Sequence, residues 1–277
     1  MKITDEDLLA ETRELTSRLR AVEQPLEVLR RNRLGGDTSP VRLPQGRDRV
    51  VSGVGVRVFT PDRVDGVYLH VHGGGWSFGS ADGQDERLWR LAQEARLAVV
   101  SVEYRLAPEH PFPAGPDDCA AAARWLAGSA VAEFGTSRLL IGGESAGAHL
   151  SVLTVLRLPG VFRAANLVFG AYDLSRAGTA RLARTYEQFT PGMTAEQRRS
   201  PDVSPLFADL TGVPPARIVV GTEDPLLDDS LALARRWPAP VRLTVVAGAP
   251  HGFTLHPLMI TERERRRERE FLAESGW

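Results

Sequence analysis

Five residues, Gly143-Glu144-Ser145-Ala146-Gly147, constrain this chain more than any other feature. They have the G-x-S-x-G form of a sharp turn that lifts a serine hydroxyl into the open, and such a turn needs a strand before it and a helix after it. Glycine stands two positions before and two after the serine because a Cβ there would crowd the tight backbone. Residues 137–142 read as a short buried strand, and residues 146–156 as a helix with apolar Leu150, Val152, Leu153, Val155 and Leu156. Upstream, residues 67–72 form a strand that runs into His72-Gly73-Gly74-Gly75. Those glycines let the main chain approach a ligand closely and offer consecutive N–H groups to a developing negative charge. Together the two runs predict chemistry at an acyl group with a serine as nucleophile.

The remaining composition narrows the setting. A chain of 277 residues, 43% of them hydrophobic, suits one large α/β domain spanning 1–277. Lys and Arg number 34 against 35 Asp and Glu, which argues against nucleic acid as a partner. Residues 262–270 mix both signs and read as a solvated helix face. Cys119 is the only cysteine, so no internal disulfide forms and a reducing, cytoplasmic setting is expected. Its alanine-rich surroundings suggest a buried packing residue. The N-terminus is acidic, and no apolar run approaches the ~20 residues of a membrane span, so no membrane partner is expected. A homodimer is left open.

Along the chain, Thr4 and Asp7 suggest a helix cap, with Leu8, Leu15, Leu19 and Val22 following at helical spacing. A less regular stretch contains Gly35-Gly36 and Pro40, and alternating valines at 54, 56 and 58 predict an exposed antiparallel pair turning near Gly53-Val54-Gly55. Strands are then expected at 67–72, 98–102, 139–142, 165–169, 217–221 and 241–247, with helices at 85–96, 118–127 and 261–274. Strands alternating with helices predict a mostly parallel sheet covered on both faces. Residues 173–205 break the rhythm as an irregular insertion carrying Tyr186, Phe189 and Met193. This insertion and residues 1–45 are expected to form a lid, the leucine stripe of the first helix packing against those side chains. With Trp76 and Phe253 they would wall a small apolar pocket above Ser145, fitted to a short or medium acyl group.

A serine hydroxyl needs a base within hydrogen-bond reach, itself oriented by a carboxylate. Functional groups in parallel sheets gather at the carboxyl ends of strands. His251, in the turn after the last strand, is therefore preferred to His256 as base. Asp224 leaves the end of the preceding strand and is favoured as the acid, with Glu223 its nearest competitor. Asp228 and Asp229 look like capping residues of the next helix. His70 and His72 share a strand face, as a metal pair would, yet no third ligand stands near them, and no metal is expected. His149 is expected to hydrogen-bond within the core, and His110 to be structural.

The segments His70-Val71-His72-Gly73-Gly74-Gly75-Trp76, Glu103-Tyr104-Arg105-Leu106-Ala107-Pro108-Glu109, Phe112-Pro113-Ala114, the serine turn, Ser204-Pro205-Leu206, Asp224-Pro225-Leu226 with Asp228, and His251-Gly252-Phe253 occur in this order. In that combination, over residues 50–275, the chain resembles the hormone-sensitive-lipase-like branch of the α/β-hydrolases, specifically its bacterial carboxylesterases. The resemblance implies the α/β-hydrolase fold, Ser145 as nucleophile, His251 as base, Asp224 as orienting acid, and an oxyanion hole from the N–H groups of Gly74, Gly75 and Ala146. It implies a small-molecule ester substrate and no cofactor. The family usually has Asp before the serine, where Glu144 stands here as a conservative departure. An amidase or arylformamidase-like enzyme would use the same three residues, whereas a small-molecule receptor on this fold would have a broken set.

Overall fold

The computed structural model describes residues 4–21 and 41–274. Its centre is an eight-stranded sheet in the order β1-β2-β4-β3-β5-β6-β7-β8. The strands are β1 (Arg47–Val51), β2 (Val54–Phe59), β3 (Gly66–Val71), β4 (Leu97–Glu103), β5 (Leu139–Glu144), β6 (Ala164–Val168), β7 (Ala216–Glu223) and β8 (Val241–Pro250). β1 pairs antiparallel with β2 and β2 with β4, and every other pairing is parallel. Parallel strands covered on both faces are buried on both sides, and all of β3, β5 and β6 is buried.

Alternation along β3 separates the two faces. Val67, Leu69 and Val71 join Leu126, Leu150 and Val152 of α3 (Ala114–Phe134) and α4 (Ala146–Arg157). Tyr68 points the other way, into a cluster with Leu88 and Leu91 of α2 (Asp85–Ala95) and Phe271 and Leu272 of α7 (Met259–Glu274). On the first face, Leu233 of α6 (Leu227–Arg236) also enters the core.

Four expectations are corrected. The 49–60 pair is not exposed as a whole: β2 is almost wholly buried because it pairs with β4, leaving β1 as the open edge. The insertion at 173–205 contains a regular helix, α5 (Ala180–Phe189), whose N-terminus is capped by Thr179 Oγ1 accepting from Leu182 N at 3.2 Å. The charged run at 262–270 is not wholly solvated, since Glu264 and Glu268 are buried against the sheet. Both continue the stripe of Ile260, Thr261, Phe271 and Leu272, so helix geometry carries them inward.

The fourth correction concerns α1 (Asp5–Ala21), which does not pair with the insertion. Leu8 and Leu15 pack with Val168, Phe169, Val246, Ala249, Phe253 and Ile260 instead. Thr12 Oγ1 donates to Ala247 O at 3.0 Å and Thr16 Oγ1 to Gly248 O at 2.9 Å, tying α1 to the end of β8. Glu11 accepts from Met259 N at 2.8 Å and Ile260 N at 3.1 Å, capping α7. The apolar stripe therefore serves the strand end rather than the aromatic insertion. Val22, the Leu19 side chain, and the stretch with Gly35-Gly36 and Pro40 lie outside the described residues, as does much of the 1–45 lid segment.

Candidate active site

β5 ends at Glu144 and α4 begins at Ala146, leaving Ser145 alone at the turn with φ 55° and ψ −118°. A non-glycine residue held at positive φ costs about 1–3 kcal/mol and persists only where its surroundings fix it. Here Ser145 N donates to Val168 O at 2.9 Å. The turn also presses on the end of β3, so that a Cβ on Gly147 would sit 1.9 Å from Val71 O, and glycine is required there.

His251 follows β8 and places Nε2 3.0 Å from Ser145 Oγ. Its Nδ1 lies 2.9 Å and 3.1 Å from the two carboxylate oxygens of Asp224, which follows β7. These partners assign the proton to Nδ1, leaving Nε2 to accept from the serine hydroxyl. Asp224 is buried and also accepts from Leu226 N at 2.8 Å. Glu223 and Asp228 are exposed, so of the sequence-named carboxylates it is Asp224 that meets His251. Asp229 turns inward and accepts from Tyr172 N at 2.6 Å and Asp173 N at 2.9 Å, and burial pushes its carboxyl up to about 6. His256 is only half-buried, and burial moves its imidazole below the usual histidine value.

The loop after β3 carries Gly74 at φ 119° and Gly75 at φ 54°. Gly74 O accepts from Ser77 N and Phe78 N, both at 3.0 Å, which curls the loop. Among the described residues, no backbone hydrogen bond takes up the N–H groups of Gly74, Gly75 or Ala146. The 103–109 segment pins this loop from below: Tyr104 donates to His72 O at 3.0 Å, and Ala107 N to Trp76 O at 2.8 Å. From above comes α5, whose Thr185 methyl lies where a Cβ on Gly75 would meet it at 2.7 Å.

The sequence-named pocket residues divide into two groups. Trp76 stacks on Phe189 at 4.6 Å between centroids and meets Tyr186 edge-on at 5.9 Å, while Met193 is half-buried beside the same core. Phe253 is not with them. It is fully buried against Phe169, in the cluster that receives α1, because the chain turns under β8 after His251. Trp76 Nε1 donates to His149 Nδ1 at 3.1 Å, and His149 Nε2 donates to Val203 O at 2.8 Å. Burial pushes His149 down to about 4, so it is neutral.

Both histidines of the 70/72 pair make hydrogen bonds within the protein. His70 lies 3.1 Å from Ser101 Oγ and 3.2 Å from a Glu144 oxygen, and His72 donates through Nδ1 to Gly73 O at 2.8 Å. Among the described residues, no group of three His, Cys, Asp or Glu side chains is placed to hold a metal, and no helix is long and apolar enough to cross a membrane.

Two groups at the site were not found by sequence reasoning. Phe169 packs edge-on against the His251 ring at 4.8 Å. Arg87 of α2 pairs with Glu144, the residue before the serine, and with Glu268 of α7 at 2.8 Å. A signal for Arg87 exists, since it falls on the same helix stripe as buried Leu88, Leu91 and Ala95. A lone Phe169 at a strand end carries none.

Sequence and fold comparisons place the chain among known proteins. The family described as having the alpha/beta hydrolase fold matches residues 68–255. A carboxylesterase of Mycobacterium tuberculosis, NlhH, is 34% identical over 268 residues, spanning 88% of this chain and 79% of that protein. An ethyl acetate hydrolase of Pseudomonas putida is 31% identical over 252 residues, spanning 83% and 76% respectively. The solved structure of a hormone-sensitive lipase from a metagenome library superimposes with a TM-score of 0.81 at 26% identity, covering 99% of each chain. This chain belongs to the hormone-sensitive-lipase-like family of α/β-hydrolases.

Proposed function

We propose that this carboxylic ester hydrolase cleaves esters of short to medium acyl chains, with Ser145 as nucleophile, His251 as base and Asp224 as the acid that orients it. The observation that carries the proposal is the unbroken hydrogen-bonded line from Ser145 Oγ through both nitrogens of His251 to Asp224. Ser145 Oγ attacks the ester carbonyl carbon as its proton passes to His251 Nε2. The carbonyl oxygen becomes an oxyanion that accepts from the N–H groups of Gly74, Gly75 and Ala146, each such donor worth roughly 10²–10³ in rate. The tetrahedral intermediate collapses, and the C–O bond to the alcohol breaks with a proton returned from Nε2. Water then attacks the acyl-serine, His251 again taking and returning the proton. Asp224 balances the imidazolium in both halves. The roof of α5 over Gly75 supports a small acyl group, as does the substrate that the Pseudomonas putida relative's name states.

Initial rates across p-nitrophenyl esters of increasing acyl length, with matched amides and lactones, test this reading. The expected result is a maximum at short to medium chains, abolished in Ser145→Ala. An organophosphonate should add to Ser145, as read by mass spectrometry of the labelled peptide. An adduct on another serine, or faster cleavage of the amide than of its matched ester, would overturn it.

A further inference from the structure

The carboxylate of Glu144 is almost fully buried one residue before Ser145, on the sheet face opposite α4. It receives Arg87 on one oxygen, while the other lies 3.2 Å from His70 Nε2 and 3.3 Å from Gln84 Nε2. The same guanidinium reaches Glu268 at 2.8 Å, and Glu268 accepts from Asn166 at 2.8 Å. Asn166 in turn accepts from Arg217 at 2.9 Å, and Arg217 pairs with Glu264 at 2.9 Å. The line thus crosses α2, β5, β6, β7 and α7 beneath the strand ends. Burial opposes the charge on Glu144, yet Arg87 and His70 hold its carboxyl well below the usual range.

A buried array of this kind adds little net stability, because the desolvation of each ion offsets most of the attraction. Its effect is geometric. Ser145 sits at positive φ and would relax if its neighbours let it. The peptide before it is fixed by the Glu144 side chain, and the amide of Ser145 itself by Val168 O. The stem of Glu is one methylene longer than that of Asp, so Glu144 is not a neutral exchange here but the length that meets Arg87.

We infer that Arg87 is a positioning residue for the nucleophile: by clamping the Glu144 carboxylate between α2 and α7, it holds the serine turn at the angle that sets Oγ against His251 Nε2. The inference rests on Ser145 being the nucleophile proposed above. It gives the charged stripe of α7 a task in the reaction, at a distance from any substrate. Loss of the clamp lets Oγ drift by a fraction of an ångström, and misplacement approaching 1 Å costs about 10²-fold in rate.

The test measures kcat and KM per active site, with sites counted by stoichiometric phosphonate titration, in the wild type, Arg87→Met, Arg87→Lys and the double variant Glu144→Gln/Arg87→Met. The double variant removes the buried charge that Arg87→Met alone would leave on Glu144, while Glu268 keeps Asn166 as a donor, and so it keeps the measurement open if Arg87→Met does not fold. Arg87→Met and the double variant should each lower kcat per titrated site by about 10- to 100-fold, with KM within about twofold and phosphonylation slowed in parallel. Arg87→Lys should recover part of the loss, because an ammonium keeps the charge but lacks the rigid planar fork that fixes both carboxylates in place. A kcat per titrated site equal to wild type, with only fewer active sites or a lower melting temperature, would mean a structural role and overturn the inference. Failure of the Ser145 assignment would show separately, as a wild-type adduct on another residue.

Discussion

Phe169 meets the imidazole of His251 edge-on, with centroids 4.8 Å apart and planes at 60°. Phe169 is buried at a positive φ of 39° and touches Phe253 at 5.9 Å, and both lie in the cluster that receives Leu8 and Leu15 of α1. A line of contacts therefore runs from the first helix to His251. It makes α1 a brace for the end of β8. Phe169→Leu keeps apolar bulk but removes the ring edge, and should cost about 1–3 kcal/mol of stability. It should lower kcat per titrated site by about tenfold, since the imidazole gains freedom about its aligned geometry. A kcat equal to wild type in a folded Phe169→Leu protein would show that the two hydrogen bonds alone hold the ring.

Asp224 and Glu223 are neighbours with opposite surroundings, one buried against His251 and the other exposed. Asp224→Asn should reduce kcat by roughly 10⁴-fold, because the amide cannot hold the Nδ1 proton or balance an imidazolium. Glu223→Gln should stay within a few-fold of wild type. The reverse order of effects, measured on one ester under identical conditions, would remove Asp224 from its proposed role.

Two desolvated groups, buried His149 and half-buried Asp229, give stability opposite slopes in mild acid. His149 is pushed down to about 4 by burial, so between pH 6.5 and 4 the unfolded chain takes its proton first and stability is lost as pH falls. Burial pushes Asp229 up to about 6, so its contribution is fully present below the ordinary value of 3.8 and is lost as pH rises through 6. The two trends partly cancel between pH 4 and 6. Asp229→Asn removes the second and keeps an oxygen for the Tyr172 and Asp173 amides. Relative to wild type, the variant should gain on the order of 2 kcal/mol on going from pH 4 to pH 7, read from urea unfolding at both. An equal difference at both pH values would sink the assignment.

The strand ends were legible because each carries its own punctuation. Gly143 and Gly147 bracket the serine, and Asp224-Pro225 and His251-Gly252 each follow an apolar run, so the three side chains could be named before their contacts were seen. What stayed hidden depends on packing between distant segments. Glu264 and Glu268 have the composition of a solvated face, and only the sheet beneath α7 shows that their partners are Arg217 and Arg87. The leucines of α1 declare an apolar stripe without naming what it covers, and the aromatic insertion was the wrong choice. Within that insertion, proline and glycine at 191 and 192 obscured the 10-residue helix before them, which Thr179 caps.

Separating α1 from α5 changes which element should govern acyl length. Trp76 continues the glycine loop and stacks on Phe189 of α5, whereas the side chains of α1 reach the far side of His251 through Phe253. Phe189→Leu should open space beside Trp76 and move the optimum of the p-nitrophenyl ester series towards longer chains, at a cost of about 1–3 kcal/mol. Leu15→Ala deletes a buried side chain of α1 and should cost about 2–5 kcal/mol. Its effect on rate should be uniform across the series, leaving the optimum where it was, because it loosens the support of the base and not the wall of the acyl site. Both variants need only kcat/KM across acyl lengths at a temperature where each is folded. A shifted optimum in Leu15→Ala with none in Phe189→Leu would restore the first helix as the lid and take the acyl site away from α5.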